Sequence, residues 1–422
     1  MEPSQTSNLL QLSKTVLEAA SAIVHYLQNT NQEEPSFNQN SSVIRGDDDL
    51  EATRVLLNEA ANDLLHLVNG PINQFRWLLM SHYDLAAYQA ALQFCFFRHV
   101  PLNGKIGLSE LAHKAGIDQD RCGRVVRHLT THHVFNEVEP DVFEHTSSSA
   151  LLAKDSNMEA LLLMQFDEMF KAATATSTSM KDAPFETNSN TCGFATYHGM
   201  SAYSWYTEHP DKALNFAKAM AALTKMDRPI STLRDEFAWD KLGRFGRIVD
   251  VGGGSGHVSI YLATHYSDLN FVVQESNSAA IAEGHAKLTP DIAERVKFMQ
   301  HDFFTEQPIT DASAFFLRHC LHNWNDEDCI RIIRALVPAL ERCKPGARVL
   351  INEEVLPERN EVSKYEENLL RQCDMCMMVI AGSKQRTAKE FEKLLIEADS
   401  RFEVVKIHGA YTMGLVEAYL RV

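Results

Sequence analysis

Residues 247–266, RIVDVGGGSGHVSIYLATHY, decide how the chain is read. A short strand, Ile248-Val249-Asp250-Val251, runs directly into Gly252-Gly253-Gly254-Ser255-Gly256-His257 and then into an apolar helical stretch. Glycines at such a turn let the backbone bend without a Cβ clash and approach a ligand closely. The helix that follows offers its unsatisfied N–H groups. The pattern implies a nucleotide-like cofactor. It does not complete a dinucleotide fingerprint, because G-x-G-x-x-G counted from Gly252 needs glycine at 257, where His257 stands.

Toward the C-terminus, short apolar runs alternate with helical ones: NFVVQE, NSAAIAEGHAKL, VKFMQHD, DASAFFLRHCLH, DEDCIRIIRALVPAL and ARVLINEEVLP. Strands apolar on both faces and separated by helices predict an α/β domain over 241–422, with a mostly parallel, Rossmann-like sheet covered on both sides. Ligands of such sheets bind at the carboxyl ends of the strands, and that rule selects the candidates. Glu275 closes the second strand about 20 residues past the glycine turn, where a carboxylate accepts both ribose hydroxyls and disfavours a 2′-phosphate. Asp302 closes the third, placed to accept from an exocyclic amine, with Phe303 beside it to cover a ring face.

His322 follows the fourth strand. A neutral imidazole there takes a hydroxyl proton as the oxygen attacks an electrophilic carbon. A phenol has a pKa of about 10 and histidine about 6.5, so the transfer becomes favourable only as the new bond forms. This scheme requires no metal. At the fifth strand, alternation sends Glu353 and Glu354 to opposite sides, so one of them is placed to hold the other ring nitrogen of His322. His319 is read as still inside the strand.

Upstream of 241 the periodicity is helical. Leu9, Leu12, Val16, Ala20, Val24 and Leu27 make one apolar face, followed by a polar stretch to Asp48, so residues 1–48 are read as a helix and flexible linker. A second helical region runs from 49 to 98, interrupted by the turn-like GPINQ. Ser109 and Asp118 are read as helix caps, and Val134–Val138 with Val142–His145 as a hairpin turning at Pro140-Asp141. Helix, helix, hairpin is a winged-helix arrangement. It makes 49–180 a mainly helical, winged-helix-like dimerisation domain and leaves 181–240 as a helical connector.

Such a module reads DNA in many proteins, but here the hairpin carries Glu137, Glu139, Asp141 and Glu144, and the 422-residue chain has a net charge of −16. Phosphate backbones are repelled, so nucleic acid is not an expected partner. No run approaches the roughly 20 apolar residues that span a bilayer, and the opening MEPSQTSNLL lacks the basic start of a signal peptide. A cytoplasmic chain without a membrane partner is expected. The eight cysteines show no framework, and Cys373 and Cys376 sit in an apolar helical segment, where packing explains them.

Taken in order, VDVGGGSG, FVVQE, His301-Asp302, LRHCLHNWNDEDC, INEEVLP and GSKQRTAKEFEKLL resemble the plant- and fungal-type small-molecule O-methyltransferases, the class of caffeate and aflatoxin-precursor methyltransferases. The resemblance implies a class I methyltransferase domain, S-adenosyl-L-methionine as cofactor, and methyl transfer to a hydroxyl of a small aromatic or polyketide-like acceptor by a homodimer. It implies cofactor contacts from Asp250, Gly252, Gly254, Glu275, Asp302, Phe303, Arg318 and Thr224. It also implies His322 as general base, Glu353 as one of two acids that hold it, and Met220 in the acceptor pocket. Phe216 and Met378, the latter among Met375, Met377 and Ile380, add an apolar and adaptable lining.

Three positions depart from the plant pattern. Glu275 is one methylene longer than the usual Asp, Asn323 replaces an Asp, and Gln385 stands where the second His-orienting Glu is expected. Its carbonyl accepts from an imidazole N–H but cannot balance an imidazolium. Two alternatives use the same residues: an S-adenosylmethionine-dependent pericyclase or dehydratase that leaves the methyl group unspent, and a non-enzymatic winged-helix DNA-binding or interaction protein.

Overall fold

The computed structural model describes residues 7–223, 225, 230–409 and 411–421. The chain divides into two compact units: Met1–Lys171 with His209–Leu223 and Ser363–Glu366, and Ala172–Glu208 with Thr224–Val362 and Glu367–Val422.

The first unit opens with the helix Asn8–Asn29, which buries Ala19, Ile23 and Leu27 at spacings of four, and continues with Asp48–Gln93. GPINQ, read as a turn between helices, is a kink inside the second of these. Gly70 breaks the helix at φ 64°, ψ 173°, and Pro71 restarts it, since a proline in a first helical turn gives up no needed N–H.

Three short strands, β1 (Lys105–Gly107), β2 (Phe135–Glu139) and β3 (Val142–His145), form an antiparallel sheet in the order β1-β3-β2. The hairpin lies where the sequence places it. β1 is absent from the sequence reading because three residues are too few to show an alternation. Asp118 caps the helix Gln119–Thr130 by accepting from Arg121 N–H at 3.0 Å. Ser109 caps nothing: the helix Leu108–Ala115 begins one residue before it, at N-cap Gly107. Phe96, Phe97, Val126, Leu129, Phe135 and Phe143 fill the core between these pieces. Arg127 pairs with Glu137 at 3.1 Å and with Asp141, so two hairpin carboxylates are matched from within the unit.

The helix Pro210–Leu223 belongs to this unit as well. Asn215 donates to the Ala160 carbonyl at 3.1 Å, and Lys212 pairs with Asp167 and Glu168 at 3.2 and 2.8 Å. The stretch read as one connector is therefore divided, and Phe216 and Met220 lie in the first unit.

The second unit is built on β4 (Arg247–Val251), β5 (Asn270–Glu275), β6 (Val296–Gln300), β7 (Ala314–Arg318), β8 (Arg348–Glu353), β11 (Phe402–His408) and β12 (Gly414–Leu420). They form one sheet in the order β11-β12-β8-β7-β4-β5-β6. All neighbours from β8 to β6 are parallel, while β12 runs antiparallel to both β8 and β11. A separate parallel pair joins β9 (Val355–Leu356) to β10 (Arg386–Thr387).

The period of two divides the core. Val249, Val251, Phe315, Leu317, Val349 and Ile351 pack with residues of the helices Asp326–Leu340 and Ala388–Ala398. Ile248, Ala314, Phe316 and Leu350 pack with the helix His257–His265 and with Trp239. Each fully buried Phe, Ile or Val contributes roughly 1.5–3 kcal/mol, which explains why these strands read as unbroken apolar runs. From β4 the chain builds outward to β5 and β6 on one side and to β7 and β8 on the other. That reversal opens a crevice at the carboxyl ends of β4 and β7. No helix among the described residues is long and apolar enough to cross a membrane.

Candidate active site

Beyond Val251 the amides of Gly252 and Gly253 donate to the Gln274 carbonyl at 2.9 and 3.0 Å, stitching the turn to β5. Gly254, at φ 57°, has no atom within 4 Å of where a Cβ would stand, so the turn presents bare backbone to open space. Gly253 is confined from below, since a Cβ there would lie 2.5 Å from the carboxyl carbon of Asp250. Asp250 is buried and accepts from the Ser259 hydroxyl at 2.6 Å. Burial pushes its carboxyl up to about 6, against the pull of Ser259 and Arg318. Asp250 thus sits beneath the turn and supports it.

Glu275 stands at the rim. One oxygen accepts from Gly254 N–H at 3.2 Å, and the other accepts from Asn277 N–H at 2.9 Å and the Ser276 hydroxyl at 3.2 Å. The Phe303 ring comes to 3.4 Å from the Cβ position of Gly252, with Cys320 Sγ at 3.5 Å. Asp302 is exposed, and its Oδ1 accepts from Phe304 N–H at 3.0 Å. Register places Arg318 opposite Asn352, and the two side chains are hydrogen-bonded. Asn352 in turn donates to the Gly414 carbonyl at 3.0 Å. Thr224 lies outside the described residues. Bare backbone at Gly254, a carboxylate beside it, and an aromatic face with a second carboxylate one strand away fit a nucleoside carrying a short charged chain.

His322 lies on the 3₁₀ turn Leu321–Asn323 that follows β7. Three successive amides of this turn, those of Cys320, Leu321 and His322, donate to one oxygen of Glu353 at 3.0, 2.6 and 3.2 Å. The other oxygen is buried and has no partner among the described residues. Burial raises the Glu353 pKa, tempered by His322 and Arg386.

Glu353 therefore holds the backbone of the turn, and its neighbour Glu354 is the carboxylate that faces the imidazole Nδ1. Glu354 places one oxygen 3.7 Å from His322 Nδ1 and the other 3.8 Å from His319 Nε2. The two rings are stacked at 5.2 Å. Alternation does separate the two glutamates; it does not say which of them faces the ring.

The Gln385 amide nitrogen lies 3.1 Å from Glu354 and 3.3 Å from His322 Nδ1, and its buried oxygen has no partner among the described residues. The amide donates to the carboxylate; turned over, it would set two acceptor oxygens against each other.

The charges around His322 decide its state. Burial lowers an imidazole pKa, but the Glu354 carboxylate 3.7 Å away and the Glu353 charge outweigh it, so His322 is raised above its ordinary value. Glu354 is held below the usual carboxylate range because His322 and His319 overcome the effect of burial. A general base must be neutral, so if His322 acts as one its raised pKa would move the rising limb of the pH–rate profile above about 6.5. Glu354→Gln removes the main partner, and the limb of kcat/KM should move to lower pH while kcat falls. A limb that stays in place would remove Glu354 from this role.

Two residues of the site carry no signal the sequence reading used. Arg386, 0% exposed, donates to Asp326 at 3.0 and 2.9 Å, to the Leu321 carbonyl at 3.1 Å and to the Trp324 carbonyl at 2.8 Å. It brackets the turn that bears His322, and the Ser383 hydroxyl adds a bond to the His322 carbonyl at 2.5 Å. Asn325 takes the cap of the following helix, accepting from Asp328 N–H at 2.9 Å, which leaves Asp326 to Arg386. The only available hint was the Arg that follows Gln385. Tyr203, on the helix Ala202–Glu208, stands within electrostatic influence of Cys320 and Glu275. Met378 is half-buried on the helix Lys364–Ala381.

Comparison with known proteins agrees with this geometry. The O-methyltransferase domain family matches residues 178–401. O-methyltransferase sol2 of Alternaria solani is 42% identical over 416 residues, covering 99% of this chain and 96% of that protein. Among solved structures, OxaC in complex with sinefungin and meleagrin superposes with a TM-score of 0.77 at 21% identity, covering 99% of this chain and all of that one. A structure described as a pericyclic reaction enzyme does so with 0.72 at 20% identity, covering 96% and 100%. At such identities the likeness concerns the fold. The family match and the Alternaria relative carry the assignment: the chain belongs to the S-adenosylmethionine-dependent small-molecule O-methyltransferases.

Proposed function

We propose that the chain methylates a phenolic hydroxyl of a small, largely apolar secondary metabolite, with His322 as general base, as a cytoplasmic homodimer. The observation that carries the chemistry is the Glu354-paired imidazole on the same strand-end rim as the bare glycine turn. S-adenosylmethionine, when bound, supplies an electrophilic methyl carbon on a sulfonium. Glu275 holds the ribose hydroxyls, Asp302 accepts from the adenine amine, and Phe303 covers the ring. With Nδ1 of His322 turned to Glu354 and Gln385, Nε2 is left to take the acceptor's proton. Glu354 balances the imidazolium charge, a task the neutral Gln385 cannot share. A phenol, with a pKa of about 10, is within reach of such a base, whereas an aliphatic alcohol is far more weakly acidic. Met378 and its neighbouring methionines offer an apolar wall that adapts to flat rings.

The test is turnover of methyl-labelled S-adenosylmethionine with a panel of phenols and phenolic polyketides, followed by mass spectrometry. Labelled methyl ether should appear as cofactor is spent. An acceptor that is converted while the label stays on the cofactor would replace this reading with the pericyclase one. A narrower check concerns the rim. Glu275→Ala should weaken S-adenosylhomocysteine binding roughly 10- to 100-fold, the worth of lost hydrogen bonds to a charged group. Unchanged affinity by calorimetry would show that the ribose lies elsewhere.

Support for a homodimer comes from the helix Asp48–Gln93. Beyond the Gly70 kink it exposes Ile72 (83%), Phe75, Trp77 (73%), Leu78 and Leu79, an apolar surface larger than monomers usually leave to water. In the winged-helix reading this segment is the contact with a second copy. Trp77→Glu combined with Leu78→Glu should convert a dimer to a monomer in light scattering; a mass unaffected by the pair would rule this helix out as the interface.

A further inference from the structure

One cluster in the first unit has ligand chemistry that methyl transfer does not use. His128 lies near the end of the helix Gln119–Thr130, and His132 stands four residues later, with Thr131 between them still in helical conformation. That spacing puts both imidazoles on one face. Asp84, on the helix Asp48–Gln93, places a single carboxylate oxygen 2.8 Å from His128 Nε2 and 3.3 Å from His132 Nε2. The three donor atoms lie within 4.8 Å of one another, and all three side chains are partly open to water.

A shared hydrogen bond accounts for these distances in the ion-free state. The two distances to the carboxylate oxygen also approach those of a coordination shell, and the two imidazole nitrogens, within 4.8 Å of each other, would close on a shared ion. Bonds of about 2.0–2.2 Å in a tetrahedron set donors roughly 3.3–3.6 Å apart. The His132 distance already meets that, and the His128 distance has only a fraction of an ångström to open. The arrangement supplies two imidazole nitrogens and one carboxylate oxygen on side chains that are partly exposed. Arg127, the nearest guanidinium in sequence, is engaged by Glu137 and Asp141. Two imidazoles with one carboxylate and no thiolate suit zinc, nickel or copper; magnesium and calcium take oxygen ligands.

We infer that Asp84, His128 and His132 form a binding site for a divalent transition-metal cation of the zinc class, one that fastens the helix Gln119–Thr130 to the helix Asp48–Gln93. Bound in the folded state only, the ion stabilises the unit by mass action, and protons compete with it for both imidazoles.

The test uses the full chain, stripped with a chelator and titrated with zinc chloride by calorimetry near neutral pH. One zinc per chain should bind with a dissociation constant in the micromolar range or tighter, weaken as the pH is lowered, and raise the unfolding midpoint. Asp84→Asn and His132→Gln should each weaken binding at least tenfold and abolish the rise in midpoint, while binding S-adenosylhomocysteine like the parent, which confirms their fold. Cobalt(II) in place of zinc should show visible d–d bands that Asp84→Asn loses. Zinc binding that is equal in the variants, or that is absent from the parent chain, would overturn the assignment.

Discussion

His322→Ala should lower kcat by roughly 10²- to 10⁴-fold, the range associated with loss of a positioned general base, while affinity for S-adenosylhomocysteine stays essentially unchanged. The two effects separate because the imidazole and the cofactor rim are built from different strand ends. His322 hangs on the turn after β7, whereas Gly254 and Glu275 belong to the ends of β4 and β5. Removing the ring leaves the three amide bonds to Glu353 and the Ser383 bond to the backbone carbonyl intact, so the turn itself survives. Turnover on the best phenolic acceptor and calorimetry with S-adenosylhomocysteine decide it together. If kcat persists with the same pH dependence, another group takes the proton.

Arg386→Ala should be the most damaging change outside the reacting groups. A fully buried guanidinium is lost from Asp326, which keeps Lys384 at 3.2 Å, and from the carbonyls of Leu321 and Trp324, which keep the weaker Cys329 thiol. Hydrogen bonds to a charged group contribute about 1.5–3 kcal/mol, and denaturant titration reads their loss directly. The bracket also fixes where His322 stands, so activity should fall further than the folded fraction does. Arg386→Lys keeps the charge and gives up the fork that reaches three acceptors; it should recover part of the stability and little of the rate. A stability loss under about 1 kcal/mol for the alanine variant would mean that the bracket is replaceable by water.

The sequence made the sheet legible for a physical reason. Strands covered on both faces must be apolar throughout, and a nucleoside-binding turn must shed side chains, so both leave strong local marks at 247–256 and in the runs that follow. The position of His322 after the fourth strand was legible by the same rule of strand ends. What failed to show depended on distance through space. The roles of Glu353 and Glu354 turn on which face of β8 meets the turn after β7. The donor role of Gln385 turns on a carboxylate 31 residues away in the chain. Arg386 is an ordinary basic residue in the sequence until Asp326 and the carbonyls of Leu321 and Trp324 come together around it. Short features were lost for want of length: β1 has three residues, the Gly70 kink only one strained backbone position, and Ser109 looked like a cap although the helix begins before it.

The reversal of strand order at β4 also says where this enzyme is free to change. The glycine turn, Glu275, Asp302, His322 and Glu354 all follow strand ends on one rim of the sheet, with Gln385 added from just before β10, so insertions after β4, β5 or β7 alter the reaction itself. The opposite rim, including Ser267–Leu269 before β5 and Lys344–Ala347 before β8, carries none of the residues named in the site. A fusion attached there should leave unchanged which molecule is methylated.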